Sequence, residues 1–273
     1  MQQWSRDQSG NKRTVGFVPT MGALHSGHAE LIRQSSMNND VTVVSIFVNP
    51  TQFNVQDDFD KYPRTFDMDV QIASESGAHV VFAPTALEMY PTNFRTFVEP
   101  GVASDPMEGE GRPGHFRGVA TIVVKLLNAV SPSNAYFGKK DYQQLAVVRE
   151  TVDALNMTVN IVGIPTVREA DGLALSSRNV RLSHSARSQA SVIFRALTEV
   201  QNVYARGETN RSILEKIAID VMATQPDCRP EYATICDRVT LKSSDVISDN
   251  SVMCVAAWFD DVRLIDNLEL HAH

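Results

Sequence analysis

The sequence predicts an α/β protein in which a parallel sheet is followed by a smaller α+β domain. Up to Pro165, short apolar runs alternate with amphipathic stretches, which is typical of strands joined by crossover helices. After Pro165 the order changes to helices followed by β-like runs. We therefore expect one domain over residues 1–165 and a second over residues 166–273.

Composition excludes several classes of protein. Of the 273 residues, 43% are hydrophobic and 21% are charged, which is ordinary for a globular protein. The net charge of -7 argues against a general nucleic-acid surface. No apolar run reaches the roughly 20 residues that span a bilayer, and the polar start lacks a signal-peptide core. Three cysteines without a C-x-x-C pair fit a reducing cytoplasm.

The first strand and helix meet at a turn that carries two histidines. Residues 14–18 read as a strand that Pro19 closes, because proline cannot donate a ladder hydrogen bond. Gly22 and Gly27 flank His25 and His28, and a helix then runs to about residue 37. A strand, a glycine-bearing turn and a helix N-terminus commonly seat phosphate. The two open alternatives are a zinc shared by the histidine pair and plain helix capping.

The second strand places polar side chains near that turn. Residues 41–48 form a near-continuous β-branched run, which indicates a strand buried on both faces. A strand, a helix and a strand with short connections predict a parallel, Rossmann-like sheet, whose ligands gather at the carboxyl ends of its strands. Asn49 and Gln52 follow the second strand, so we expect them beside the histidine turn. Alternatively, Gln52 is an ordinary loop residue.

The next stretch predicts a helix over residues 66–76 that Gly77 ends, a third buried strand over 79–83, and a short strand over 96–99. The acidic cluster before the helix is expected to be a solvated loop rather than a metal site; it comprises Asp57, Asp58 and Asp60.

A glycine-rich segment over residues 102–118 is long for a connection in a compact domain, which predicts a lid or binding loop. Arg112, His115 and Arg117 give it local positive charge. The alternative for each of them is a flexible surface loop.

A second phosphate-type turn follows a buried helix over residues 119–130. A strand over 134–137 runs into Gly138, Lys139, Lys140 and Asp141, and a helix over 142–155 starts at once. A glycine, two lysines and a helix N-terminus favour phosphate, with one lysine expected to face solvent. Gln144 lies in the first turn of that helix, and residues 159–165 predict the next strand.

The later part offers hydroxyls and a cation. Ser176 and Ser177 precede Arg178, a combination that suits a polyphosphate, although helix caps often look alike. Helices are predicted over residues 183–205 and 211–224. Strands are predicted over 231–235, 246–247 and 251–259.

Taken together, four separated motifs resemble the pantothenate synthetase (pantoate–β-alanine ligase) family, and the resemblance covers nearly the whole chain. The motifs are P-T-M-G-A-L-H-x-G-H from Pro19, F-V-N-P-T-Q-F from Phe47, Y-F-G-K-K-D-Y-Q-Q from Tyr136 and A-L-S-S-R-N from Ala174. Arg112–Phe116 and Arg263–Asn267 fit the same family. More widely, the chain is similar to nucleotidyltransferases with a His-x-Gly-His signature.

The resemblance implies an activity and a set of site residues. The family joins pantoate to β-alanine with ATP and Mg²⁺, releases AMP and pyrophosphate, and passes through pantoyl adenylate, usually as a homodimer. It implies that His28 is the proton donor, that Gln52 and Gln144 hold pantoate, and that Gln52 also contacts β-alanine. The implied ATP-binding residues are Met21, Gly22, Ala23, Leu24, His25, Ser26, Gly27, His28, Gly138, Lys139, Lys140, Asp141, Val167, Leu175, Ser176, Ser177 and Arg178.

The chemistry of these side chains agrees with those roles. Adenylation needs positioning and charge stabilisation more than covalent work by the protein. We therefore expect His25, His28 and Lys140 to act on the phosphates, and Asn49 to assist Gln52 with pantoate, in a site without membrane or nucleic-acid partners. Two other functions stay open: transfer of a nucleotide to a phosphorylated acceptor, and a non-catalytic nucleotide sensor.

Overall fold

The apolar runs of the first 165 residues form a five-stranded parallel sheet, which confirms the predicted fold class. Its strands are β1 (Val15–Thr20), β2 (Val41–Ile46), β3 (Val80–Phe82), β4 (Asn134–Gly138) and β5 (Asn160–Ile164). The strand order is β3-β2-β1-β4-β5. The central position of β1 and β2 explains their continuous apolar character, because neighbours and helices cover both faces.

The computed structural model describes residues 1–54, 56–243 and 246–272. The chain divides into two units, the first of which comprises Met1–Lys139 and Gln143–Pro165. The second comprises Lys140–Tyr142 and Thr166–His273. Each unit has its own sheet.

The predictions for strands β1 and β3 of the first unit need correction. The strand β3 is half-buried rather than fully buried, because it lies at the edge of the sheet. Pro19 does not close β1, which continues to Thr20 and pairs with β2 along its whole length. Pairing of β1 with β4 ends at Phe17, and the Val15 carbonyl accepts from Ser133 on that side. Pro19 shares that side by alternation, so its missing N–H interrupts no ladder.

The helices of the first unit cover the sheet. They are α1 (Gln2–Gly10), α2 (Ser26–Asn38), α3 (Gln56–Asp60), α4 (Phe66–Glu75), α5 (Ala86–Met89), α6 (Glu108–Gly111), α7 (His115–Val130) and α8 (Tyr142–Ala154), whose first residue groups with the second unit. The prediction for α4 is confirmed, with Gly77 at φ +99° following its end. Residues 96–99 form no strand.

The predicted long loop is shorter and more structured than expected. The helix α7 begins at His115, not at residue 119, so His115 and Arg117 are helical. Upstream, the Glu150 carboxylate accepts the N–H groups of Val102 and Ala103 at 3.1 and 3.2 Å. The Gln143 amide donates to two loop carbonyls, those of residues 103 and 106. These contacts hold in place the first part of the 102–118 segment, which its glycine-rich composition predicts to be a lid or binding loop.

The acidic cluster lies at and around α3. Asp57 pairs with Lys61 at 2.7 Å, and its side chain is 65% exposed. This exposure agrees with the prediction of a solvated cluster. The side chain of Asp58 lies outside the described part of the structure.

The second unit packs helices on an antiparallel sheet. The helices are α9 (His184–Gln189), α10 (Val192–Ala205) and α11 (Arg211–Met222), and the strands are β6 (Cys228–Asp237), β7 (Ser251–Phe259) and β8 (Val262–Glu269), in the order β6-β7-β8. The core includes Leu197, Leu214, Met253 and Phe259, all fully buried.

Two predictions in this unit need correction, and one strand lacks a prediction. The helix over 183–205 is two helices, because the Ile193 N–H donates to the Ala190 carbonyl in a 3₁₀-type turn between them. Residues 246–247 form no strand; Ile247 is apolar because it packs into the core from a loop. The strand β8 was not predicted, since buried Asp266 interrupts its apolar alternation.

Among the helices that the structure describes, none combines the length and apolar character needed to cross a bilayer. Cys228, Cys236 and Cys254 are buried, and no disulfide joins any two of them.

Candidate active site

The loop between β1 and α2 has an unusual backbone. Gly22 and Ala23 have φ values of +83° and +50°, in the left-handed region that glycine adopts readily and alanine does not. The Asp69 carboxylate of α4 accepts the N–H of Ala23 at 3.0 Å and that of Leu24 at 2.8 Å. Asp69 is only 1% exposed. The turn is therefore fixed by a buried carboxylate, which also occupies two of its backbone donors.

The two histidines cap the helix that follows the turn. The Gly27 N–H donates to His25 Nδ1 at 3.1 Å, and the His25 N–H donates to His28 Nδ1 at 3.3 Å. The ring centroids are 4.1 Å apart. Because each Nδ1 accepts, the proton of each neutral ring is at Nε2. The two histidines therefore do cap α2, as one of the alternatives predicted. In this arrangement each ring has the tautomer whose Nε2–H can donate to a phosphate oxygen.

A shared metal is a poor interpretation of this pair. Both Nδ1 atoms already serve the helix start. In the described ranges, no group of three or more histidine, cysteine, aspartate or glutamate side chains could hold a metal ion.

Asn49 is the hub of a buried polar network at the end of β2. Its Nδ2 donates to Gln52 Oε1 at 3.0 Å and to the Gly118 carbonyl at 3.2 Å. Its Oδ1 accepts from the hydroxyls of Thr51 at 3.0 Å and Tyr90 at 2.7 Å. These four bonds use both donors and both lone pairs of the amide. Asn49 therefore orients Gln52 and holds α7 against the strand end.

Gln52 is held from both ends yet keeps a weakly bound donor. Its Nε2 donates to Met21 Sδ at 2.8 Å, and a thioether is a weak acceptor. Its backbone carbonyl accepts from His115 Nδ1 at 2.8 Å and from the Arg112 guanidinium at 3.4 Å. This geometry brings the histidine turn and the Gln52 segment together, as the sequence predicts. A substrate oxygen could replace the thioether at small cost.

An aromatic row runs from this network across α7. Tyr90, Phe94 and Phe97 stack edge-on at centroid distances of 5.1 and 5.3 Å. Lys125 lies over the Phe94 ring at 4.6 Å, and Arg117 lies over Phe97 at 3.9 Å. Burial raises the pKa of Tyr90. The Tyr90 hydroxyl therefore stays protonated and donates to the hub.

The second unit has its own polar centre. Arg168 forms a two-pronged ion pair with Asp266, which is 2% exposed, and it also donates to the Gly172 carbonyl at 3.0 Å. Burial raises the pKa of Asp266, and the Arg168 guanidinium opposes that rise. The Asn267 amide donates to the Lys140 carbonyl at 2.8 Å. These bonds attach both the 168–174 hairpin and Lys140 to β8.

A model of the family described as pantoate-beta-alanine ligase matches residues 1–269. The chain belongs to the pantoate–β-alanine ligase family. The pantothenate synthetase of Acetivibrio thermocellus is 46% identical over 263 residues, which cover 96% of this chain and 94% of that protein.

Solved structures of the family agree closely with the fold. The crystal structure of pantothenate synthetase from Thermus thermophilus has a TM-score of 0.90 at 44% identity and covers 94% of this chain and 93% of its own. That of the pantoate–β-alanine ligase from Francisella tularensis, complexed with β-γ ATP and β-alanine, has a TM-score of 0.78 at 33% identity, covering 98% and 94%.

In this member of the pantoate–β-alanine ligase family, the predicted site residues fall in both units. The first unit holds Met21–His28, Asn49 and Gln52, with Gly138 and Lys139 at the same edge of the sheet and half-buried Gln144 in the first turn of α8. The second unit holds Lys140, Asp141, Val167 and residues 175–178. The roles of all these residues stay predictions.

Sequence patterns did not identify two residues of the candidate site, Asp69 and Tyr90. Asp69 lies on the buried side of α4 with Ala73, four residues on, while Phe66 and Met68 are exposed. Charged residues are rarely buried without a partner, so an aspartate on the buried side of an amphipathic helix indicates a specific contact. Tyr90 follows a short helix, and nothing in its local pattern marks its contact with Asn49.

Proposed function

We propose that the protein condenses pantoate with β-alanine at the expense of ATP, giving pantothenate, AMP and pyrophosphate. The observation that carries this proposal is the family match over residues 1–269. Support comes from the assembly of His25, His28, Asn49 and Gln52 at one edge of a parallel sheet, where such folds bind ligands.

The reaction has two steps. The pantoate carboxylate attacks the α-phosphorus of ATP and displaces pyrophosphate, which gives pantoyl adenylate. The β-alanine amine then attacks the acyl carbon, loses a proton and displaces AMP. The protein's part in the first step is to align the carboxylate and stabilise charge that moves onto pyrophosphate. The Nε2–H groups of His25 and His28 suit that task, since both rings are held by their Nδ1 atoms.

Pantoate is assigned to the glutamines. A neutral amide donates to and accepts from hydroxyls without trapping the carboxylate in an ion pair. Asn49 fixes the Oε1 of Gln52, so that Nε2 is the group offered in place of the Met21 contact. We assign Gln144 to pantoate as well, Gln52 also to β-alanine, and Asn49 to the positioning of Gln52.

The nucleotide is assigned to both phosphate-type segments. Lys140, Ser176, Ser177 and Arg178 would neutralise the triphosphate, and the Lys140 side chain is 17% exposed. Mg²⁺ would enter with ATP, because Mg²⁺ commonly needs only one or two protein ligands beside phosphates. The absence of a three-ligand acidic or histidine cluster from the described residues fits this mode. The family resemblance supports a homodimer, and the three cysteines, which no disulfide joins, support a reducing compartment such as the cytoplasm.

Isotope exchange tests the function. With ATP, pantoate and labelled pyrophosphate but no amine, we expect label to enter ATP only when pantoate is present. Adding β-alanine should then yield pantothenate. Exchange at the same rate with and without pantoate would favour transfer of the nucleotide to another acceptor. Nucleotide binding without any exchange would favour a non-catalytic sensor.

Two variants test the site. His28→Ala and Lys140→Ala should each lower the exchange rate by roughly tenfold or more, since each removes a charge-stabilising donor. His184→Ala is the matched control, because His184 is exposed at the start of α9. A near-normal rate in either site variant would remove that residue from the proposed site.

A further inference from the structure

The turn before the histidines holds a conformation that its own sequence does not favour. Ala23 has φ +50°, where its Cβ crowds the backbone. At Gly22 a Cβ would lie 2.9 Å from Asp69 Oδ2 and 3.2 Å from Ile46 Cγ2, so this residue is packed tightly against the same carboxylate. Such a turn persists only if surrounding contacts determine it.

Asp69 supplies those contacts. Its Oδ2 accepts the Ala23 N–H, and its Oδ1 accepts both the Leu24 N–H and, at 3.1 Å, the Thr65 hydroxyl. All three partners donate to a carboxylate that is 1% exposed. At this turn the left-handed backbone of Ala23 aims two consecutive N–H groups at one carboxylate. The carboxylate therefore stabilises a backbone conformation that alanine disfavours.

The turn sets the position of both proposed substrate-binding groups. On its C-terminal side, His25 begins α2 and forms the capping pair with His28. On its N-terminal side, the Met21 sulfur accepts from Gln52. A shift of the turn would displace both.

We propose that Asp69 is a positioning residue, whose buried carboxylate holds the turn in the conformation that presents His25, His28 and Met21 to the substrates. This inference rests on the proposed function. Within the described residues, the hydrogen bonds of the Asp69 carboxylate are with the turn and with Thr65, so Asp69 acts on the substrates only through the turn.

Asparagine at this position is the sharpest perturbation. It keeps the size of the side chain, but it places an amide NH₂ against one of the two backbone donors. One N–H then loses its acceptor inside the protein. Asp67→Asn is the matched control, because Asp67 lies in the same helix turn and is exposed.

We expect Asp69→Asn to lower kcat of pantoate-dependent pyrophosphate exchange by about tenfold or more, with Asp67→Asn near wild type. In the ligand-free protein, hydrogen exchange at the amides of Ala23 and Leu24 should accelerate by about tenfold or more in Asp69→Asn. Amides in the middle of α4 should keep wild-type rates. This second readout needs no substrate.

A second substitution separates positioning from general damage. Glycine adopts positive φ without strain, so Ala23→Gly should restore the turn in part. We expect kcat of the double variant Ala23→Gly/Asp69→Asn to be roughly threefold or more higher than kcat of Asp69→Asn. A general loss of stability would not be rescued at this position.

Should Asp69→Asn fail to fold, Thr65→Val is the milder probe. It removes only the hydroxyl that donates to Oδ1, and it should lower kcat in the same direction by roughly twofold to fivefold. Wild-type rates in Asp69→Asn, or a loss without faster exchange at residues 23 and 24, would overturn the inference. If wild-type protein lacks pantoate-dependent exchange, the proposed function fails instead, and the amide measurement still decides whether Asp69 holds the turn.

Discussion

Replacing Gly118 with alanine should destabilise the protein, although the same change usually stabilises a helix. Gly118 lies inside α7, where the Thr51–Gln52 turn packs directly on its Cα. An added Cβ would lie 2.3 Å from the Thr51 carbonyl oxygen and 2.9 Å from the Gln52 nitrogen. Both are backbone atoms, which cannot rotate away as a side chain would.

The magnitude follows from opposing terms. Alanine in place of glycine gains about 1 kcal/mol of helix propensity. Against this, ordinary contact begins at 3.4 Å, so the turn must retreat by about 1.1 Å (3.4 − 2.3), and such overpacking costs about 1–3 kcal/mol. The Asn49 bond to the Gly118 carbonyl, at 3.2 Å, would add about 1 kcal/mol when lost. We expect a net loss of about 1–3 kcal/mol.

The assay is thermal unfolding together with substrate kinetics. For a chain of this size the loss corresponds to a Tm lower by roughly 2–5 °C. KM for pantoate should rise roughly fivefold, because the displaced turn carries Gln52. Gly111→Ala is the matched control: no non-bonded heavy atom of the described residues lies within 4 Å of its Cβ position, and its φ is not positive. A Tm at or above that of wild type in Gly118→Ala would refute the reasoning.

Three further outcomes are expected. Tyr90→Phe removes one neutral donor to Asn49, so KM for pantoate should rise about twofold to tenfold in steady-state assays while KM for ATP stays unchanged; equal rises would contradict a role through Asn49. The hydrogen bond from Arg263 lowers the pKa of Glu231, so its stabilisation is present above its unfolded pKa, about 4.3, and is lost as pH falls through the lower folded pKa. Tm should therefore fall less between pH 6 and pH 3 in Glu231→Gln than in wild type, and equal falls would contradict the linkage. Burial raises the pKa of Cys228 to about 11, so iodoacetamide at pH 8 should label it, by mass spectrometry, only after unfolding; rapid labelling of folded protein would contradict this.

The sheet was predictable because its signal is local. Buried β-branched runs such as residues 41–46 and short helical connections leave few alternatives to a parallel sheet. Predictions failed where a local rule depends on a distant partner. Pro19 is tolerated in β1 because β4 has already ended beside it, and the sequence near Pro19 does not reveal that.

The candidate site was predictable in its residues but not in its bonding. Residue types and strand ends indicated that His25 and Gln52 come together. The sequence could not show that the His25 and His28 side chains bond the start of α2, or that Asn49 uses all four of its hydrogen-bonding positions. These are properties of three-dimensional contacts between residues up to 69 positions apart.

The pair of capping histidines constrains how this site can be dissected. A ring nitrogen that carries a proton has no lone pair to offer, so the start of α2 is bonded only while both Nδ1 atoms stay bare. Alanine in place of His25 would remove the cap and the Nε2–H in one step. Asparagine, a strong N-cap residue, would keep an acceptor for the Gly27 amide. It would remove only the Nε2–H group that is proposed to donate to the phosphates. The difference in exchange rate between the alanine and asparagine variants therefore measures how much His25 contributes by capping α2.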